Sequence, residues 1–157
     1  MTRRFASLIA ATVAAATLAA GVGVASAADQ PADQIKYRQA VMRSVGGHMG
    51  AIAAIMKGEI SHTGHLSAHA NAIAGMAVVA ADVFPPSSAS GAETRAKPEI
   101  WQDWDEFLGK AEAFRTASAN LASVIDGGGD SAAVGAAFGD LGKSCGGCHR
   151  PFRADAN

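Results

Sequence analysis

From Asp33 to Lys57 the apolar positions Ile35, Met42, Val45, Met49, Ile52 and Met56 recur at steps built from three and four residues. That rhythm places side chains on one stripe of an α-helix. Arg38 is the one charged residue on the stripe, and Gly58 stops the helix. A second segment, roughly Thr63 to Asp82, carries Leu66, Ala70, Ile73, Met76 or Ala77, and Ala80 on one face, and Pro85 and Pro86 end it. Residues 87–97 are small and polar and predict a surface loop. Pro98 suits the first turn of a third helix bearing Ile100, Trp104, Phe107, Ala111, Phe114, Leu121 and Ile125, which Gly127-Gly128-Gly129 breaks. Asp130 then serves as the N-cap of a last helix through Val134, Phe138, Leu141, Cys145, Cys148 and Phe152. Alternating β-branched runs with hairpin turns are missing from the sequence, so the pattern predicts an all-α fold. Four amphipathic helices with mostly short connections form an antiparallel up-down-up-down four-helix bundle. Its stripes are rich in alanine, which leaves core volume for a large rigid group.

The N-terminus has a different composition. Arg3 and Arg4 precede an alanine-rich run ending in Ala25-Ser26-Ala27, the layout of a secretory signal peptide with an A-x-A cleavage site. The run is only weakly apolar for a membrane anchor, and no stop-transfer pattern follows it. The expected organisation is a cleaved signal peptide over residues 1–27 and a single domain over residues 28–157, with no membrane segment after cleavage. Losing Arg3 and Arg4 from 13 basic residues leaves 11 against 14 acidic ones, a net charge of −3. No basic surplus remains to suggest nucleic acid as a partner.

The chemistry is concentrated in Cys145-Gly146-Gly147-Cys148-His149, which holds the only two cysteines of the chain. Positions 145, 148 and 149 are three and four apart and share one helix face, where they can meet one flat macrocycle. This is the attachment word of a c-type haem, with two thiols for the vinyl groups and an imidazole for the iron. A redox dithiol would sit in an alternating strand-helix pattern, which is not present. A zinc site would usually need a second ligand pair, although distant histidines could complete one. Bacteria attach such haem outside the cytoplasm, in agreement with the export signal. One covalently bound haem c in a periplasmic protein is therefore expected.

In an antiparallel bundle the start of the first helix lies beside the end of the last. At about 1.5 Å per residue, Met42 lies on the order of 14 Å from its helix start, near the level of the haem word, and Met49 about 10 Å deeper. Met76 also falls within two turns of its helix end. The distal side of the iron could thus hold Met42, Met76 or an open position, and a methionine on an apolar stripe is commonly plain packing. His62, His65 and His69 are spaced to share a face near the start of the second helix, where neutral imidazoles could take zinc, copper or nickel. Spacing gives His48 a place in packing or at the surface.

The chain resembles the class II cytochromes c, the family of cytochromes c' and the low-spin cytochromes c-556, over nearly all of residues 28–157. The likeness rests on Lys36-Tyr37-Arg38-Gln39 opening helix one, Lys57-Gly58 closing it, Pro98-Glu99-Ile100-Trp101 opening helix three, and the C-terminal haem word followed by Phe152-Arg153. The resemblance implies that Met42 stands at the family's distal position. There the high-spin members carry an apolar residue and the low-spin members a ligating methionine. It also implies that Arg38 and Gln39 lie near the haem and Arg153 beside the proximal imidazole; Arg38, on an apolar stripe, needs a partner such as a propionate. Pro151 departs from the pattern and is expected to kink or fray the last turn.

With His149 and Met42 as axial ligands the chain would be an electron carrier and not an enzyme, meeting a redox partner protein transiently. The alternative is a five-coordinate haem that binds nitric oxide or carbon monoxide. Relatives pair through their first two helices, so a homodimer is possible, and Ala51, Ala54 and Ile55 on the outer face of helix one permit it.

Overall fold

A computed structural model describes residues 29–155; the export signal expected over residues 1–27 and the cleavage before Ala28 lie outside them. Among the described residues the regular structure is helical: α1 (Pro31–Met56), α2 (Leu66–Val78), the short α3 (Glu99–Gln102), α4 (Trp104–Asp126) and α5 (Ser131–Phe152). The four long helices form a four-helix bundle. No helix among the described residues is long and apolar enough to cross a membrane.

Local chemistry explains the helix ends. Pro31 sits in the first turn of α1, where its missing N–H has no intrahelical partner to lose. Gly58, at φ 75°, turns the chain out of that helix, while the N–H groups of Lys57 and Gly58 bond the carbonyls of Ala53 and Ile55 at 3.0 Å. At the start of α5 the Asp130 carboxylate accepts from the N–H of Ala133 at 2.8 Å, as its sequence position predicts.

The apolar stripes meet in one core of Val45, Ile52, Ala70, Ile73, Ala77, Phe114, Leu121, Val134, Ala137 and Leu141. A second cluster of Ile100, Phe107 and Phe152 closes the end of the bundle, with Phe84, Trp101 and Trp104 around it. α1 packs on α2, α2 on α4, and α4 on α5. The remaining seam, α1 against α5, is sparse, and a cavity of about 550 Å³ lies along it.

Five details differ from the sequence expectation. α2 stops at Val78 and not near Asp82, because residues 77, 80 and 83 are the buried ones and the bonds Ala80 N–H to Ala77 O and Phe84 N–H to Ala81 O tighten the chain to a three-residue step. The third helix is not continuous. Asp103, at φ −116° and ψ 50°, breaks it so that Trp101 can donate from Nε1 to the Phe84 carbonyl at 3.1 Å while Phe107 turns into the aromatic cluster. The loop after Pro86 is not wholly superficial, since Ser88 is 0% exposed. Ile55 is buried against its own chain and so leaves the outer face of α1, whereas Met56 is exposed. Pro151 does not fray the last turn: the helix runs on to Phe152, and the N–H of Arg153 still reaches the His149 carbonyl at 2.9 Å. Bonds from Lys97 N–H to Phe152 O and from Ala154 N–H to Arg95 O pin the tail beside residues 95–97.

Leu121 lies at the centre of the core, 0% exposed and away from the cavity. Leu121→Ala is expected to lower unfolding stability by about 2–5 kcal/mol in a guanidinium titration, with the haem absorption of the folded protein unchanged.

Candidate functional site

α5 brings Cys145, Cys148 and His149 to one wall of the cavity, and α1 brings Arg38, Met42 and Met49 to the facing wall. Ala80, Phe84, Ile100, Phe107 and Phe114 make the inner lining apolar. An uninterrupted helix holds the three residues of the haem word at their i, i+3, i+4 spacing. Both thiols are free of any disulfide.

Burial raises the thiol of Cys145, and it pushes that of Cys148 up to about 11, with the neighbouring Cys145 adding to the shift and Lys110 opposing it. Burial also holds the His149 imidazole below its usual range, helped by the positive charges of Arg153 and Arg95. Burial thus favours the uncharged forms of both thiols and of the imidazole, and the neutral imidazole is the form that can ligate iron. The apolar slot, the paired thiols and the neutral imidazole fit a haem held through α5.

The distal candidates separate. Met42 lines the cavity, whereas Met76 packs against the bundle core and does not. Met49 also reaches the cavity, because the slot runs further along α1 than the helix ruler allows.

Arg38 is 3% exposed. Its Nη1 donates to the Ser88 hydroxyl at 2.6 Å and its Nη2 to the Thr94 hydroxyl at 3.0 Å; both nitrogens reach the Ser88 carbonyl at 3.3 Å. The guanidinium stacks 4.8 Å from the Phe84 ring centroid and 5.9 Å from that of Trp101. The charge on the apolar stripe therefore has protein partners of its own, while its side chain still touches the cavity wall. Gln39 lines the cavity and donates to the Glu93 carbonyl at 3.0 Å. Arg153 is exposed at the cavity mouth, where Arg43 and Arg95 join it. Sequence reasoning missed Arg43, Thr94 and Arg95; the last two lie in a stretch without periodicity, which gives no signal of what they face.

The three histidines expected to share a face do not assemble. His62 and His65 stack on each other in the turn before α2, at 4.9 Å between centroids, while His69 pairs with His48 of α1. No group of three metal-ligating side chains forms among the described residues.

A helical bundle held open along one seam, with Cys-x-x-Cys-His lining the opening, defines a haem-binding cytochrome. The family model described as Cytochrome C' matches residues 33–153, and the chain belongs to that family. Cytochrome c' of Rhodospirillum rubrum is 36% identical, with the match covering 84% of this chain and 88% of that protein. Cytochrome c-556 of Agrobacterium tumefaciens (strain II Chrys) is 37% identical over 78% of this chain and 98% of its own. A solved cytochrome c' with an unusual ligand-controlled dimer dissociation superposes with a TM-score of 0.74 or better, namely 0.76, at 34% identity, covering 82% of this chain and all of the other. The protein is accordingly a c-type cytochrome with covalently attached haem c.

Removing the Arg38 guanidinium strands the Ser88 carbonyl, while the Thr94 hydroxyl keeps only its bond from the Ala96 N–H at 3.1 Å. Arg38→Leu is expected to destabilise the haem-loaded protein by about 1–3 kcal/mol, seen as a lower midpoint in urea unfolding.

Proposed function

We propose that the chain is a periplasmic one-electron carrier whose haem would be held through Cys145 and Cys148, with His149 and Met42 as the iron's protein ligands. The observation that carries this reading is the Met42 side chain on the cavity wall of α1, facing the wall that bears His149. Met76, the competing methionine, lies in the core and away from the cavity. Bound haem supplies Fe(III)/Fe(II) cycling, and a neutral thioether ligand favours the ferrous state. Residues of this chain do the remaining work. His149 offers a neutral nitrogen because burial and two nearby arginines disfavour its protonation. With the haem bound, Met42 would keep water and small ligands from its distal side. The close-packed core fixes both walls and so limits reorganisation when the charge at the centre changes. Arg43, Arg95 and Arg153 at the mouth offer positive charge to propionates or to a redox partner that docks transiently.

The second reading is a five-coordinate haem that binds nitric oxide or carbon monoxide, with Met42 only packing over the distal face. The cytochrome c' name, which more of the relatives carry than cytochrome c-556, supports it, as does the ligand-controlled dissociation of the solved dimeric neighbour. By name the relatives lean to gas binding; the residue at position 42 leans to electron transfer. Either reading is compatible with a homodimer of this chain.

The reduced absorption spectrum separates the two. Sharp low-spin bands unmoved by carbon monoxide are expected, and Met42→Ala should convert them to a broad high-spin spectrum that shifts with the gas. A wild-type spectrum that already shifts overturns the methionine ligand, and a Met42→Ala spectrum that stays low-spin transfers the role to Met49. For the attachment, intact-mass analysis should find one haem per chain, and Cys145→Ala/Cys148→Ala should release it to acidified acetone.

A further inference from the structure

The basic residues are sorted by place. Lys57, Lys110, Arg115 and Lys143 each bridge to a carboxylate close by in sequence, and Arg38 is buried among its own partners. Of the 11 basic residues beyond the export signal, six remain with no carboxylate partner among the described residues, and all but Lys36 gather around His149. Arg43, Arg95 and Arg153 line the haem cavity. Lys97, Arg150 and again Arg153 line a second cleft of about 510 Å³, which shares His149 with the cavity and has Asp155 as its one carboxylate. Backbone bonds fix this arrangement: Lys97 N–H donates to Phe152 O at 3.0 Å and Ala154 N–H to Arg95 O at 2.8 Å, while Arg95 Nε donates to the Ala154 carbonyl at 2.7 Å. Gathering unpaired like charges costs self-repulsion, and here they gather on a chain whose net charge after export is −3. The cluster runs against the overall sign of the molecule.

We propose that the second cleft docks an acidic partner protein, whose carboxylates meet Lys97, Arg150 and Arg153 while its redox centre faces the edge of His149. The proposal rests on the electron-carrier reading and names the chemistry of the partner. His149 is the one residue of the haem word that lines both the cavity and the cleft, so a partner seated there stands one imidazole from the iron's position. The electron crosses alone: the ferrous protein loses one, the partner gains one, and no bond or proton moves. Complementary charge raises the rate of encounter and orients the docked pair, and both effects fade as salt shortens the reach of the charges. A concave recess with a carboxylate at its rim suits a protruding acidic side of a protein better than the flat surface of an anionic membrane.

The test is stopped-flow oxidation of the ferrous, haem-loaded protein by two trivalent cobalt(III) complexes of opposite charge, the tris-oxalato anion and the tris-phenanthroline cation. Between about 0.01 and 0.2 M sodium chloride the Debye length shortens from about 30 Å to under 10 Å, and the anion's rate is expected to fall about threefold or more while the cation's rises. A chain acting through its net charge would give the opposite signs. Poly-L-glutamate, a stand-in for an acidic protein surface, should slow oxidation by the anion at low salt, and poly-L-lysine should not. Lys97→Gln/Arg150→Gln should slow the anion's reaction about threefold at low salt, with its rate at high salt and the absorption spectrum unchanged. An anion rate that is flat or rises with salt, no inhibition by polyglutamate, an unaltered variant, or binding to phosphatidylglycerol vesicles that polyglutamate does not compete away would each overturn the proposal. A reduced spectrum that shifts with carbon monoxide would instead unseat the carrier reading. The salt dependence reports the charge around His149 whichever residue faces the iron, so the two failures are told apart.

Discussion

The unclosed seam between α1 and α5 is the constraint on which the rest of the structure depends. Three of the four helix contacts, α1 on α2, α2 on α4 and α4 on α5, are closed by the packing of side chains. The fourth would close the bundle if its stripes carried enough bulk, but along it α1 offers Met42, Val45, Gly46 and Met49, and α5 offers Gly142, Ser144 and the haem word. Small residues on one side and flexible thioethers on the other leave a slot that side chains alone do not fill. In the proposed function a haem fills it, and covalent attachment to α5 would make the filler part of the chain.

The walls of the slot are held apart by interactions outside it. Arg38 is a buried cation whose cost is offset by Ser88, Thr94 and two aromatic faces, and in making those bonds it straps residues 84–94 across the start of α1. The tail after α5 is tied to residues 95–97 by backbone bonds, so the same connection that clasps α1 also clasps the end of α5. One loop therefore sets the spacing of both walls at the open end. This explains why a stretch of small polar residues has a fully buried serine at its centre.

Periodicity made the long helices legible because their buried residues are those of the stripes: Ile35, Ile52, Ile73, Leu121 and Leu141 sit at or near zero exposure. That Cys145, Cys148 and His149 share one helix face was legible because such sharing follows from i, i+3, i+4 spacing, and spacing is visible in sequence. The breaks were not. Asp103 interrupts a rhythm that continues on both sides of it, and the cause is a tryptophan bond to a carbonyl 17 residues earlier. The partners of Arg38 were hidden for a similar reason, since hydroxyls in an aperiodic loop announce nothing about where the loop lies. The histidines show the same limit from the other side: local spacing suggested His62, His65 and His69 as a set, whereas the contact that forms joins His69 to a residue 21 positions away on another helix.

Similarity over 78–84% of the chain does not choose between the two uses of this scaffold. A cytochrome c' at 36% identity and a cytochrome c-556 at 37% stand equally close, so the fold and the attachment word are common ground and carry no discrimination. Discrimination has to come from the distal wall, where the bundle places a few side chains against an otherwise apolar slot. There a thioether differs from a hydrocarbon of similar size in one respect that matters to iron: it has a lone pair to give. Burial in a rigid wall makes that difference decisive, because a side chain fixed by its neighbours either closes the sixth position or leaves it open. Under the proposed function Met42 is the residue at which one fold would divide into two functions, and the slot that both would share is what would give a single side chain that power.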